Sequence, residues 1–297
     1  MIIHELESHC PLNKAGARMP YKWDLNIYRG CSHRCVYCYA RYSHEFIGGN
    51  FFDDIYVKTN IVESLEKVIS SKKWKKDVIN IGSVCDSYQH IEKKYKIMPE
   101  ILKLLIKYKS PAVISTKSDL ILRDIDLINK LSENTYINIA LSINCCDDNI
   151  IKITESGASS IKNRFNVIKE IKKTNASVGV HIMPVLPFIT DSKYQIEELF
   201  SAIKSVNADY IIIDSLNLKG STKIEYLNFI KNKYPNLFEK YLNLYKNGNI
   251  DLKYKKNLYL TINELKQKYN ISTDYINIMK NKLSEFSYET GEQLSLF

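Results

Sequence analysis

The sequence lacks the features that would place a protein in or beyond a membrane. No uninterrupted apolar run approaches the roughly 20 residues that a transmembrane helix needs. The first residues, Met1 to Glu5, lack the basic-then-apolar order of a signal peptide. The seven cysteines are odd in number and unevenly spaced, which argues against a disulfide framework. We therefore expect a cytoplasmic protein without a membrane segment.

Three of the seven cysteines are concentrated in one short segment, Asn26 to Arg41. They have the spacing C-x3-C-x2-C and are Cys31, Cys35 and Cys38. Thiolates hold iron–sulfur clusters, and three thiolates on a four-iron cube leave one iron open to bind another molecule. The alternative is a structural zinc site with His33 or Cys85 as the fourth ligand. Zinc sites more often use paired C-x2-C units, so the spacing favours an iron–sulfur cluster.

The central part of the chain alternates between strand-like and helix-like segments. The predicted strands lie at 25–28, 78–84, 112–116, 136–143, 177–184 and 210–214, and the predicted helices between them at 60–70, 96–108, 120–131, 161–173 and 192–206. This alternation implies a parallel sheet with right-handed crossovers. We predict an α/β fold, a partial (β/α)6 barrel over residues 23–218, with its chemistry at the carboxyl ends of the strands.

The two flanks of the barrel have different patterns. Residues 1–22 show no periodicity and contain Pro11, Gly16 and Pro20, which predicts an irregular N-terminal arm. After residue 218, helical patterns replace the strands, at 222–233, 236–246, 261–269 and 273–285. These patterns predict a small C-terminal helical extension over residues 219–290. Residues 291–297 are predicted to be an exposed tail.

A C-x3-C-x2-C loop after the first strand of a β/α chain resembles the radical S-adenosylmethionine (SAM) superfamily. The resemblance covers about residues 24 to 215. It implies a [4Fe-4S] cluster on the three cysteines, with SAM chelated by the open iron and cleaved reductively to a 5′-deoxyadenosyl radical. It also implies an electron donor such as flavodoxin or ferredoxin.

Within that superfamily, several motifs in order resemble the spore photoproduct lyase family and its wider relatives. They are Tyr37-Cys38-Tyr39-Ala40, Ile114-Ser-Thr-Lys117, Leu141-Ser-Ile-Asn144, Glu155 with Arg164, and Pro184-Val-Leu-Pro-Phe-Ile-Thr-Asp191. The resemblance implies that SAM is contacted by Tyr37, Ser83, Lys117, Ser142, Glu155 and Arg164. Taken singly, Lys117 is equally a solvated loop lysine, Ser142 a strand-end serine, and Glu155 with Arg164 a surface pair.

A lyase that repairs a thymine dimer by radical chemistry must return a hydrogen atom to the product radical. The resemblance implies a cysteine after the second strand for this step, with two tyrosines near the cluster. Cys85, Tyr37 and Tyr39 are therefore the candidate catalytic residues. The alternative is that Cys85 is a small buried residue, as many free cysteines are.

The segment around Cys85 departs from the family pattern. The family reads Cys-Thr-Ser-Asp, whereas this chain reads Val84-Cys85-Asp86-Ser87. Alignment on the following Ile91-Glu92 places the family's cysteine on Val84. Because adjacent strand residues point to opposite faces, this shift by one position matters for the role of Cys85.

The end of the chain points to a partner in DNA metabolism. Gln293-Leu-Ser-Leu-Phe297 reproduces the peptide by which bacterial DNA repair and replication proteins bind the sliding clamp. We predict that the clamp is contacted by Gln293, Leu294, Leu296 and Phe297, a peptide-in-groove mode. The alternative is an amphipathic end that packs on its own domain.

Charge gives weaker support for a nucleic-acid partner. The formal net charge of +9 makes a polyanionic partner plausible. In the helical extension, lysines interleave with Tyr241, Tyr245 and Tyr254, which predicts phosphate contacts and stacking on bases. The alternative is a solvated lysine face over core tyrosines.

Together these patterns favour a radical SAM enzyme that acts on damaged or modified DNA. One alternative is a radical SAM enzyme that modifies RNA or protein. The other is a non-enzymatic iron–sulfur or zinc module that acts as an adaptor of the sliding clamp.

Overall fold

The structure is a computed structural model that describes residues 1–45 and 47–286 of the 297-residue chain. The strands in these ranges are β1 (Ile2–Leu6), β2 (Leu12–Lys14), β3 (Trp23–Leu25), β4 (Tyr28–Arg29), β5 (Asp54–Lys58), β6 (Ile79–Ile81), β7 (Ala112–Thr116), β8 (Ile137–Ser142), β9 (Ser177–Val185) and β10 (Tyr210–Ser215). The α-helices are α1 (Ile61–Ile69), α2 (Glu92–Tyr95), α3 (Ile97–Tyr108), α4 (Ile125–Ser132), α5 (Asp148–Thr154), α6 (Ile161–Ile171), α7 (Lys193–Ser205), α8 (Gly220–Lys233), α9 (Phe238–Leu244), α10 (Leu252–Tyr269) and α11 (Tyr275–Glu285). Short 3-10 helices span Tyr39–His44, Asp119–Asp124 and Pro235–Leu237.

The main sheet confirms the predicted partial (β/α)6 barrel. Its strand order is β10-β9-β8-β7-β6-β3-β2, and every neighbouring pair from β3 to β10 is parallel. The short β2 runs antiparallel to β3 at one edge. The strands are rich in buried isoleucine and valine because helices cover one face of the sheet.

The predicted irregular N-terminal arm is wrong. Residues 1–22 contain β1 and β2, and β1 pairs in parallel with β5 in a separate three-stranded sheet of order β1-β5-β4. The side chain of His4 in β1 stacks on Tyr56 and lies 2.9 Å from a carboxylate oxygen of Asp54. Because β1 is largely exposed and is stabilised by residues about fifty positions away, the local pattern did not reveal it.

The predicted helical extension is present, and part of it packs in the barrel core. Helix α10 is twice as long as the segment 261–269 that the pattern predicted, and it packs against α7. Leu258, Ile262 and Leu265 lie in the same apolar cluster as the barrel strands. The domain boundary after residue 218 remains a prediction. No helix among the described residues is long and apolar enough to cross a membrane.

Two of the three tyrosines proposed to stack on bases belong to the interior, and the third, Tyr254, is partly buried. Tyr241 and Tyr245 are almost fully buried, and Tyr245 donates a hydrogen bond to the carbonyl of Leu216 at 2.7 Å. The hydroxyl of Tyr254 donates to Asp191 at 2.5 Å. Base stacking on Tyr241 and Tyr245 is therefore wrong, and the alternative of core tyrosines is confirmed for them. Burial of these two large aromatic rings against apolar neighbours is more favourable than their exposure to water.

Candidate active site

The three clustered cysteines lie on a loop between β4 and the 3-10 helix Tyr39–His44. Cys31 and Cys35 are buried, Cys38 is partly buried, and all three thiols are free. Gln89 fixes the start of the loop, because its side chain accepts from the backbone N–H of Ser32 at 2.8 Å and donates to the carbonyl of Gly30 at 3.1 Å. The loop is therefore ordered by contacts with the segment that follows β6.

The segment after α5 supports the other side of the cysteine loop. Cys35 forms an antiparallel bridge with Glu155, and the N–H of Gly157 donates to the carbonyl of His33 at 3.1 Å. A Cβ atom on Gly157 would lie 2.0 Å from the backbone oxygen of Ser32. Only glycine permits this close approach of the two backbones.

His33 and Asp86 connect the cysteine loop to the strand ends. One imidazole nitrogen of His33 lies 3.0 Å from the carbonyl of Gly157, and the other lies 2.9 Å from a carboxylate oxygen of Asp86. Asp86 also accepts from the hydroxyl of Thr116 at 2.8 Å and from the N–H of Lys117 at 2.7 Å. Burial alone would raise the pKa of Asp86, but the nearby His33 and these hydrogen bonds hold that pKa below its usual value. Since both nitrogens of His33 lie within 3.0 Å of a protein oxygen, the zinc alternative with His33 as a ligand is not supported.

The donor set fits an iron–sulfur cluster. Burial, then the negative charge of Asp86, raises the pKa of the Cys31 thiol well above its usual value. Burial and the carboxylate of Glu155 do the same to the pKa of Cys35. Deprotonation of such thiols requires a bound cation, so a cluster bound here would release protons. Within residues 1–45 and 47–286, no three His, Cys, Asp or Glu side chains converge as ligands of a single ion.

Tyr37, Glu155, Arg164 and Lys117 form one buried polar group beside the loop. The hydroxyl of Tyr37 donates to Glu155, whose carboxylate lies 2.6 Å from the guanidinium of Arg164 and 3.5 Å from the ammonium of Lys117. Burial alone would raise the pKa of Glu155, but the charges of Lys117 and Arg164 outweigh it and lower that pKa. Glu155 is therefore an anion buried within 4 Å of two cations. The surface-pair alternative for Glu155 and Arg164 is wrong.

Arg164 also connects this group to the end of β8. Its guanidinium donates to the carbonyl of Ser142 and to the carbonyl of Ser159, both at 2.9 Å. Asn144, just beyond β8, donates to the hydroxyl of Tyr37 at 3.4 Å. Ser142, Lys117, Tyr37, Glu155 and Arg164 are thus brought together.

Tyr39, Ser83 and Cys85 form a second group, in which Asn26 contacts Ser83 and the N–H of Val84 next to Cys85. The hydroxyl of Tyr39 donates to the carbonyl of Ser83, and the hydroxyl of Ser83 accepts from the amide of Asn26 at 2.9 Å. The thiol of Cys85 is buried and donates to the carbonyl of Tyr28 at 3.1 Å. Burial is the main cause that raises the pKa of Cys85 to about 12, so its sulfur keeps its hydrogen.

Sequence reasoning missed four polar residues of the site. They are Asn26, Asp86, Asn144 and His181. Asn26 and Asn144 lie just beyond the carboxyl ends of β3 and β8, Asp86 lies in the loop that follows β6, and His181 lies in the middle of β9. Polar side chains at these positions are the signal that could have identified them, because the carboxyl ends of parallel strands meet at one edge. The predicted clamp-binding residues Gln293, Leu294, Leu296 and Phe297 lie outside the described residues.

Comparison with known proteins places this site in a family. A family model described as "Radical SAM superfamily" matches residues 25–200. The protein Rv2578c of Mycobacterium tuberculosis is 30% identical over 279 residues, which cover 92% of this chain and 82% of the relative.

Two solved structures of spore photoproduct lyase share the fold. One, complexed with dinucleoside spore photoproduct, has a TM-score of 0.68 at 14% identity and covers 92% of this chain and 82% of the lyase. The other, a variant with bound AdoMet and dinucleoside spore photoproduct, has a TM-score of 0.66 at 15% identity and covers 89% of this chain and 79% of the lyase. The family model and the cysteine loop agree that this chain belongs to the radical SAM superfamily, whose cofactors are a [4Fe-4S] cluster and SAM.

Proposed function

We propose that the protein is a radical SAM enzyme that acts on damaged or modified DNA in the manner of a photoproduct lyase. The observation that carries this proposal is the pair of polar groups beside the cysteine loop, one around Glu155 and one around Cys85. The fold shared with lyase structures that contain dinucleoside spore photoproduct supports the choice of substrate. The damaged base would leave the base stack to reach a site inside a barrel.

The cysteine loop and the group around Glu155, together with Ser83 from the second group, would hold the cofactors. Cys31, Cys35 and Cys38 would ligate the cluster, and SAM would contact Tyr37, Ser83, Lys117, Ser142, Glu155 and Arg164. When bound and reduced by a donor such as flavodoxin or ferredoxin, the cluster and SAM supply a 5′-deoxyadenosyl radical. Only 14% of the Lys117 side chain is exposed to solvent. Its ammonium pairs with Glu155 and lies 5.8 Å from the centroid of the Tyr37 ring. The cation is thereby placed before SAM arrives, which lowers the cost of ordering it.

The group around Cys85 would return hydrogen to the product. The S–H bond of Cys85 breaks, the hydrogen atom bonds to the substrate carbon, and the unpaired electron passes to the sulfur. A hydrogen atom from the hydroxyl of Tyr39 would then restore the thiol. The tyrosyl radical left on the exposed Tyr39 would be reduced to tyrosine by one electron from the donor protein and one proton from solvent. The buried, protonated state of Cys85 suits this role, because a thiolate has no hydrogen atom to give.

An anaerobic turnover experiment tests this function. The reconstituted protein is incubated with SAM and dithionite, with and without UV-irradiated DNA, and 5′-deoxyadenosine is measured. With deuterated thymidine in the irradiated DNA, we expect deuterium in 5′-deoxyadenosine and loss of the photoproduct. The matched control is the variant with Cys31, Cys35 and Cys38 all replaced by Ala. No transfer of deuterium from irradiated DNA would contradict the DNA substrate.

The same experiment separates the two alternatives. An enzyme for RNA or protein would form 5′-deoxyadenosine from SAM without consuming the photoproduct, and would bind tRNA or a peptide instead. A non-enzymatic adaptor would form no 5′-deoxyadenosine with any of these substrates. The membership in the radical SAM superfamily favours an enzyme over an adaptor.

We further propose that Gln293, Leu294, Leu296 and Phe297 bind the bacterial sliding clamp. The support is the peptide Gln293-Leu-Ser-Leu-Phe297 itself. Removal of residues 293–297 should abolish co-elution with purified clamp and leave SAM cleavage unchanged. Co-elution that survives this truncation would contradict the proposal.

A further inference from the structure

The inner face of the barrel sheet, opposite the face that the helices cover, carries small and polar residues on β8 and β9. On β8, Asn138, Ala140 and Ser142 share this face, and their partners on β9 are Ser177, Gly179 and His181. The residues that alternate with these along β8 and β9 point to the other face of the sheet and lie in the apolar cluster with the helices. His181 is therefore at the level of Ser142, on the strand beside it.

The ring of Tyr210 lies in the interior of the barrel (the lumen), below His181, that is, towards the amino ends of the strands. A Cβ atom on Gly179 would be 2.1 Å from this ring, so the absence of a side chain at 179 makes room for it. The hydroxyl of Tyr210 accepts from Asn138 at 2.8 Å, and its ring centroid is 6.2 Å from that of His181. Tyr275 of α11 packs on the far side of Tyr210, at 4.9 Å between centroids. The lumen below His181 is thus filled by protein, and a ligand has to lie above it.

The imidazole of His181 has a buried nitrogen without a partner. Among the described residues, nothing forms a hydrogen bond with Nε2, although this atom is shielded from solvent. The main chain of His181 is satisfied separately, since its carbonyl accepts from the N–H of Ile143 at 3.1 Å. Burial and the positive charge of Lys117 lower the pKa of His181 to about 4, which keeps the ring neutral. A neutral imidazole offers one donor and one acceptor, as the edge of a nucleobase does.

The position of His181 favours the substrate over SAM as its partner. The predicted SAM contacts lie at the strand ends: Ser83 and Lys117 follow β6 and β7, and Ser142 is the last residue of β8. In the main sheet, His181 is on β9, which lies one strand farther than β8 from β3, the strand nearest in sequence to the cysteine loop. A base placed against His181 would adjoin the SAM contacts without displacing them.

We infer that His181 is a specificity-determining residue whose Nε2 forms a hydrogen bond with the target base when that base enters the barrel. This inference rests on the proposed function, because it requires a nucleic-acid substrate. A buried polar atom that is unpaired in the free protein and paired in the complex contributes to binding and not to folding.

Binding measurements on the reconstituted protein test the inference. The probe is a fluorescent thymine-rich oligonucleotide, irradiated or not, and affinity is measured anaerobically with SAM present. His181→Leu should weaken binding of the irradiated oligonucleotide about fivefold or more, whereas His181→Gln, which retains a polar group, should weaken it less. His9→Leu, which removes an exposed imidazole away from β9, is the matched control and should bind as the wild type does.

Two further readouts separate the possible outcomes. The SAM affinity of the His181→Leu protein, measured by equilibrium dialysis, should stay within about twofold of the wild type, and its thermal unfolding temperature should not fall. A parallel loss of SAM affinity, a loss of stability that accounts for the weaker binding, or unchanged binding of the irradiated oligonucleotide would each overturn the inference. If the wild type does not prefer the irradiated oligonucleotide, the proposed function fails and the inference fails with it.

Discussion

The carboxylate of Glu155 lies 2.6 Å from the guanidinium of Arg164, and neither side chain is exposed to solvent. The two residues connect different parts of the barrel. Glu155 pairs by its backbone with Cys35 of the cysteine loop, and Arg164 donates to the carbonyl of Ser142 at the end of β8. A buried ion pair of this kind joins the cluster side of the site to the predicted SAM side.

Removal of the charge on Glu155 should destabilise the protein. Glu155→Gln preserves the shape of the side chain but leaves Arg164 and Lys117 without their buried anion, which we expect to lower the free energy of unfolding by about 3 kcal/mol. Urea denaturation of the cofactor-free protein measures this change. The control is Glu100→Gln, because Glu100 pairs with Lys103 at 2.7 Å on the exposed surface and should contribute less than about 0.5 kcal/mol. Equal effects of the two substitutions would contradict the role of the buried pair.

A methyl group on Gly157 should displace the cysteine loop. The Cβ of Gly157→Ala would lie 2.0 Å from the backbone oxygen of Ser32, next to the proposed cluster ligand Cys31, so one of the two backbones has to move. We expect a loss of about 2 kcal/mol in unfolding free energy and a lower yield of reconstituted cluster, measured from iron content. Gly16→Ala is the control, since its nearest atom is 3.9 Å away. A normal cluster in the Gly157→Ala protein would show that the loop tolerates this shift.

Cluster absorbance should depend on three cysteines and not on the others. Alanine at Cys31, Cys35 or Cys38 removes one of the three proposed thiolate ligands, and we expect the visible absorption of the reconstituted cluster to be lost or strongly reduced. Cys146→Ala, which changes a partly buried thiol outside the loop, should leave the spectrum intact. A full spectrum in the Cys35→Ala protein would rule out the assigned ligand set.

Replacement of Cys85 should change the products and not the consumption of SAM. Without the S–H group, the Cys85→Ala protein should still form 5′-deoxyadenosine but should convert the irradiated DNA to side products. Mass spectrometry of digested DNA measures the ratio of repaired to misrouted nucleotide. The control is the exposed Cys10→Ala, for which we expect the wild-type ratio. An unchanged ratio in the Cys85→Ala protein would mean that hydrogen comes from elsewhere.

The stability of the cofactor-free protein should fall in acid partly because of His181. The pKa of His181 is lowered to about 4 from the ordinary 6.5, first by burial and then by Lys117. Between these two values the unfolded chain binds a proton that the folded chain does not, so stability decreases as the pH falls from 6.5 to 4 and is fully present above 6.5. Each pKa unit corresponds to about 1.4 kcal/mol, and we expect only about 1–2 kcal/mol because the side chain is partly exposed.

A comparison with His181→Leu isolates this contribution. The wild type should lose about 1–2 kcal/mol more than the Leu variant between pH 7.5 and pH 4.5, measured by urea denaturation. The Met183→Leu protein, which changes no titrating group, should follow the wild type. Identical pH profiles of the wild type and the His181→Leu protein would show that the imidazole has the same pKa in the folded and the unfolded chain.

Much of the barrel could be predicted because most of its strands and helices have recognisable patterns of apolar residues within a few positions. Runs such as Ala112-Val-Ile-Ser-Thr116 are buried on a parallel sheet, and amphipathic helices follow them at a regular interval. Strand β5 and the arm strand β1 escaped prediction because each is short and is stabilised mainly by the other. The burial of Tyr241 and Tyr245 in the extension was missed for a similar reason, because their spacing is compatible with a solvated surface or with a core and distant contacts decide between the two.

The sequence by itself determined the cysteine loop, the six parallel strands and, by resemblance, the cofactors, because these depend on spacing within a few residues. Only the tertiary structure decided that Glu155 and Arg164 are buried, that Tyr37 and Tyr39 belong to different polar groups, and that the Nε2 of His181 has no partner among residues 1–45 and 47–286. The hydrogen bond between Tyr37 and Glu155 spans 118 positions of the chain. Contacts of such range depend on how whole elements pack, and no local pattern encodes them.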